Sequence, residues 1–132
     1  MKPTLNIGNC ESHRFVVTEQ MQPNFNGRII HPVCSTWDLA HQIEIAARKT
    51  LEPHLSDGEE GIGTHLSIDH LSPAPVGREI KVLATVTEVD TSTVVCAITV
   101  SLGATVIASG TQIQRVLPSS TIEERIQLAS TQ

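Results

Sequence analysis

The chain has 132 residues, 39% hydrophobic and 17% charged, a balance that fits one globular domain and excludes both a disordered chain and a pair of domains. A net charge of −5 and an aromatic content of 2%, with no Tyr, argue against a nucleic-acid partner, which calls for positive charge and stacking rings. Cys10, Cys34 and Cys96 are an odd number with no C-x-x-C pair, so they read as free thiols of a reducing compartment. No apolar run nears the ~18 residues that cross a membrane. Met1-Lys2-Pro3-Thr4 leads into polar sequence without a signal-peptide pattern, so a cytoplasmic protein with no membrane partner is the expectation.

Residues 1–12 are polar and unpatterned, and a loose arm is expected there. Residues 13–19 are rich in strand formers and predict a first strand. Gln22-Pro23-Asn24-Phe25-Asn26-Gly27 is a turn-rich connector, and a loop runs on through His31–Ser35. Residues 36–52 predict one long helix, capped by Ser35 or Thr36, with Asp38 in the first turn where a carboxylate suits the positive end of the dipole. At 100° per residue, Leu39, Ala40, Ile43, Ala46, Ala47, Thr50 and Leu51 share an apolar arc of about 140°. Asp38, His41, Gln42, Arg48, Lys49 and Glu52 fall opposite, and Glu44 lands on the border of the arc.

Pro53 and Asp57-Gly58 end the helix, and strands follow at 61–70, 79–89, 93–101 and 105–117. Short turns at Asp90-Thr91-Ser92 and Leu102-Gly103-Ala104 join the last three into an antiparallel meander. Gly110, inside the last strand, implies a bulge or a close backbone approach. Ser120-Thr121-Ile122-Glu123 has the pattern of a capping box opening a short helix over 120–130. The whole, residues 1–132, is a single α+β domain in which an antiparallel sheet wraps one long helix, the hot-dog arrangement. Such a sheet leaves an edge strand open, so pairing with a second copy, a homodimer or higher homo-oligomer, is expected.

Thr36, Glu44, His70 and the Gly63-Thr64 pair are the candidates for chemistry. On the strand at 61–70, alternation puts Leu66, Ile68 and His70 on one face and His65, Ser67 and Asp69 on the other. His70 reads either as a core histidine or as a general acid or base, since imidazole titrates near neutrality. Glu44 reads as a boundary residue, or as a half-desolvated carboxylate with a specific partner. Thr36 reads as a helix cap or as a site residue, and Cys34 as a nucleophile or, since nothing in the sequence shows what would lower its pKa, as a buried, inert thiol. The six histidines show no metal-ligand spacing, and no phosphate-binding or nucleophile-elbow motif is present.

The run Gly61-Ile-Gly-Thr-His-Leu-Ser-Ile-Asp-His70-Leu-Ser-Pro-Ala-Pro-Val-Gly77 resembles the fluoroacetyl-CoA thioesterase-like family of hot-dog proteins. The resemblance extends over residues 30–117, through Arg78–Asp90 and Ile107–Thr111, and back to the helix that carries Glu44. It implies an acyl-CoA thioesterase whose catalytic Thr, Glu and His fall on Thr36, Glu44 and His70, with a site glycine at Gly63 and Thr64 beside it as a substrate contact. Glu44 would attack the thioester carbonyl or activate the attacking water, His70 would handle protons at the leaving thiolate, and Thr36 would orient Glu44 or the carbonyl. The resemblance also implies a site at a dimer interface and no cofactor beyond the coenzyme A of the substrate.

Two departures stand out. Relatives carry Gly-Thr-His-Glu-Arg where this chain has Gly110-Thr-Gln-Ile-Gln114, and Gly27-Arg28-Ile29-Ile30 shows no aromatic lid. A short or medium acyl-CoA other than fluoroacetyl-CoA is therefore the expected substrate. The two glutamines leave open a binding module that holds acyl-CoA without turnover. An enoyl-CoA hydratase-type lyase is a third reading, weakened because Asp69 and His70 are adjacent and face opposite ways.

Overall fold

The computed structural model describes residues Met1–Gln132. In chain order the elements are β1 (Cys10–Val16), β2 (Asn24–Phe25), β3 (Arg28–Ile29), α1 (Thr36–Leu51), β4 (Glu59–His70), β5 (Glu79–Val89), β6 (Thr93–Leu102), β7 (Thr105–Pro118) and α2 (Ser119–Ser130). Five strands form one antiparallel sheet in the order β1-β5-β6-β7-β4, and β2 with β3 makes a separate small hairpin.

Period-two alternation builds the inner face of the sheet. Ile80, Val82, Ala84 and Val86 on β5, and Val94, Cys96, Ile98 and Val100 on β6, are buried, while the residues between them are not. α1 lays Leu39, Ile43, Ala46, Ala47 and Leu51 onto that face. Each fully buried Leu or Ile contributes about 1.5–3 kcal/mol, an upper figure because unfolded chains already bury some apolar surface. Ser35 caps the helix, its hydroxyl accepting from the Asp38 N–H at 3.2 Å. The result is the α+β hot-dog arrangement expected from the sequence, with β1 and β4 as the edge strands.

Several local expectations need correction. The first strand is Cys10–Val16, not 13–19, and the arm before it is docked. Leu5 is buried in the core, Gly8 N–H donates to the Val86 carbonyl, and Val86 N–H donates to the Asn9 carbonyl, which together hold the segment against β5. Gln42, placed on the polar side of the helix, is buried; its Oε1 pairs with His13 Nε2 at 2.7 Å and its Nε2 donates to Asp38 Oδ1 at 3.2 Å. The connector near residue 26 is a hairpin whose turn residues, Asn26 and Gly27, both have positive φ (55° and 91°), the geometry that Asn-Gly favours.

At α2 the expected capping box is absent. The helix starts one residue early, at Ser119, after Pro118 with no side-chain cap, because Ser119 N–H is already bonded to the Gly58 carbonyl at 2.8 Å. At Gly110 a close approach is what the strand requires: a Cβ there would lie 1.9 Å from the Ser67 carbonyl oxygen of the neighbouring strand.

Candidate active site

Two clusters of the candidate residues sit where α1 faces β4 and β7. The first lies at the start of α1. Thr36 is the first helical residue and is exposed, and its hydroxyl shares a 3.0 Å hydrogen bond with His70 Nδ1 at the end of β4. His70 faces the helix as alternation predicted, and its Nε2 is buried with no partner within the chain. Beside it, Phe25 of the hairpin meets Trp37 edge-on, ring centroids 5.4 Å apart at 90°. An aromatic pair therefore stands at this end of the helix, although Ile29 and Ile30 themselves are aliphatic and exposed.

The second cluster lies two turns along α1. Glu44, half-buried at the edge of the apolar arc, accepts a 2.8 Å hydrogen bond on Oε2 from Gln112 Nε2 of β7. Gly63 on β4 faces the same carboxylate: a Cβ there would stand 3.1 Å from Glu44 Oε2 and 3.3 Å from Oε1. The missing side chain is what lets the carboxylate lie against the strand. Gln114, next on the same face of β7, is buried and donates from Nε2 to the Ala47 carbonyl of α1 at 2.9 Å. Glu44, Ile45, Arg48, Gly61, Gly63 and Gln114 are among the residues lining a cavity of about 450 Å³ here. Arg48 is fixed at its rim by the Gly61 carbonyl (3.1 Å), Glu52 (3.2 Å) and Glu60 (2.6 Å).

A β-bulge aligns these pieces. Gly63 pairs with Gln114 and His65 with Ile113, so Thr64 is an extra residue and the inward parity switches from odd to even. Gly61 and Gly63 face the helix before it, and Leu66, Ile68 and His70 after it. Thr64 itself is exposed, and its hydroxyl donates to the Ile113 carbonyl at 3.3 Å. It shapes the strand and does not line the cavity beside Glu44.

Within one chain the two clusters remain apart. Thr36 and Glu44 are eight residues, about 12 Å of helix axis, from each other. Gly63 and His70 lie opposite Gln114 and Ala108 of β7, about 20 Å along the strand. No hydrogen bond joins Glu44 to Thr36 or His70, and His70 borders a separate, shallower cavity with Leu71, Ser72 and Pro73. The chain thus brings Thr36 to His70 and Glu44 to Gly63, but does not bring the two pairs together.

Gln112 stands out in the sequence only as a departure from the family's pattern, and its bond to Glu44 is not foreseen there. Its signal was present: a polar side chain at a position of β7 that alternation turns toward the core, opposite Leu66 on one side and Cys96 on the other. Cys34 is no nucleophile, since burial, with the Asp38 charge adding to it, pushes its thiol up to about 12. No three His, Cys, Asp or Glu side chains come together as a metal site.

The family model of the fluoroacetyl-CoA-specific thioesterase, FlK, matches residues 17–120. The chain belongs to this family. Membership makes it a thioester hydrolase acting on acyl-CoA. Among solved structures, a thioesterase-superfamily protein of Thermus thermophilus is 28% identical with a TM-score of 0.94, the match covering 99% of this chain and 96% of that one. The fluoroacetyl-CoA thioesterase FlK itself is 21% identical with a TM-score of 0.85, covering 93% and 96%. A hot-dog-like protein of Thermanaerovibrio acidaminovorans is 20% identical with a TM-score of 0.87, covering 97% and 93%. A search of curated protein sequences finds no match.

Proposed function

We propose that this thioesterase hydrolyses a short or medium acyl-CoA, using Glu44, His70 and Thr36, at a site completed by a second copy of the chain. The observation that carries the reading is the Glu44 carboxylate, tied on one oxygen, facing a cavity and unobstructed by any side chain at Gly63. Glu44 attacks the thioester carbonyl or takes a proton from the attacking water. The tetrahedral intermediate collapses by breaking the C–S bond, and the thiolate accepts a proton to leave as CoA-SH. Where water attacked, the acid departs at once; where Glu44 attacked, water then hydrolyses the mixed anhydride left on Glu44 to release the acid and the free carboxylate. His70 supplies the proton to the thiolate, its ring held by the hydrogen bond between Nδ1 and the Thr36 hydroxyl.

The dimer supplies the missing proximity. β4 is an edge strand, and antiparallel pairing of two copies centred on Ser67, with Thr64 counted as the extra residue, sets Gly63 of one across from the partner's His70. Both residues face the helix side of the sheet, so the two half-sites meet on one surface. Aliphatic Ile29 and Ile30 in place of an aromatic lid favour a substrate other than fluoroacetyl-CoA. Free thiols fit a cytoplasmic setting, and no helix is long and apolar enough to cross a membrane.

The test is CoA release from acetyl-, butyryl- and hexanoyl-CoA by wild type, Glu44→Ala and His70→Ala. Wild type at the uncatalysed rate, or both variants at the wild-type rate, overturns the assignment. Mixing the two inactive variants separates the site architectures. Shared sites regain activity in heterodimers, because one of their two sites then holds both native residues, whereas sites built within one chain regain none.

A further inference from the structure

Gln112 is the one fully buried side chain that bonds a candidate catalytic group, and it does so at a visible cost. The residue has no solvent exposure, and its register neighbours on the same face are Leu66 and Cys96, so an apolar side chain is what packing would select there. Its amide can be oriented in only one way. A carboxylate accepts and does not donate, so Nε2 must face Glu44 Oε2, and this leaves the Gln112 carbonyl Oε1 buried with no donor. A buried carbonyl without a partner lowers stability. The other buried polar side chains serve packing or caps: Ser35 caps α1, Thr50 donates to the Ala47 carbonyl, Gln42 joins His13 to Asp38, and Gln114 ties β7 to α1.

We infer that Gln112 is the positioning residue of this thioesterase, a role that rests on the assignment of Glu44 above. Its N–H fixes Glu44 Oε2 from the sheet side, while Gly63 removes the obstacle on the β4 side. Glu44 Oε1 makes no hydrogen bond in the chain and is not sealed off, so it is the oxygen presented to the cavity and the thioester carbonyl. Without Gln112 the carboxylate loses the tether that selects one rotamer, and a misplacement of this kind reduces the chemical step far more than binding.

Gln112→Met tests this, since methionine fills nearly the same volume and needs no partner. In CoA release from acetyl-, butyryl- and hexanoyl-CoA, kcat is expected to fall about 10- to 100-fold with KM nearly unchanged. Tm is expected to equal or exceed that of wild type. Gln112→His, which restores an N–H donor, is expected to recover most of the lost kcat. A Gln112→Met variant with wild-type kcat overturns the inference. So does a loss carried by KM or accompanied by a lower Tm, and so does a Gln112→His variant no better than Gln112→Met. Glu44→Gln, assayed alongside, separates the two levels. Wild-type activity in that variant overturns the role of the carboxylate itself, whereas an inactive Glu44→Gln beside a fully active Gln112→Met overturns only the role of Gln112.

Discussion

Gly63 and His70 face the same side of β4 although they are an odd number of residues apart, because Thr64 is an extra residue between them. Strict alternation would have sent one of them to the outer face. The bulge lets a single strand contribute both the gap beside Glu44 and the imidazole beside Thr36.

That gap gives a first prediction. Gly63→Ala places a methyl 3.1–3.3 Å from both carboxylate oxygens of Glu44, so the carboxylate must give way by a few tenths of an ångström. We expect kcat to fall about tenfold, with thermal stability nearly unchanged because Ala is no worse than Gly in a strand. Steady-state kinetics together with a melting curve check both halves.

Gly110→Ala should behave in the opposite way, as a stability variant. The new Cβ would sit 1.9 Å from the Ser67 carbonyl, which is backbone and cannot swing aside, so β4 and β7 must part. A loss of about 3 kcal/mol or more, or failure to accumulate as folded protein, is expected. A urea melt with a midpoint equal to wild type would contradict it.

The cysteines should differ in reactivity. Cys34 is buried with its thiol raised to about 12, so it stays neutral through the working range of any thioesterase assay, while Cys10 is exposed. Treatment with iodoacetamide near neutral pH is expected to label Cys10, to spare Cys34 and Cys96, and to leave CoA release unchanged. Mass spectrometry of the labelled peptides decides it.

An acid-side effect follows from Glu60. The Gly61 N–H, and then the Arg48 guanidinium, hold its carboxyl below the usual carboxylate range. A depressed folded-state value means a contribution that is present above the unfolded value and disappears as pH falls through the folded one. The Glu60 side chain is 45% exposed, so solvent screening keeps the contribution small. Glu60→Gln should lower Tm slightly at pH 7, and the difference should close as the pH is taken down to about 3. A difference that widens toward acid would contradict this.

Much of the architecture was legible in the residues themselves. Alternation in 79–89 and 93–101 and the apolar arc of 36–52 depend on local periodicity, and β5, β6 and α1 follow them closely. The errors fall where a distant partner overrides a local pattern. Leu5 docks an arm that reads as loose, Gln42 is buried because His13 and Asp38 satisfy its amide, and the Gly58 carbonyl starts α2 ahead of its capping box.

The candidate site divides along the same line. The sequence determined which side chains are available, Thr36, Glu44, Gly63 and His70, because motif spacing is carried by the chain itself. Only the tertiary structure decided that Thr36 pairs with His70 and Glu44 with Gln112, and that a bulge turns Gly63 inward. Strand register and cross-sheet neighbours are set by packing between segments far apart in sequence, and local periodicity holds no record of them.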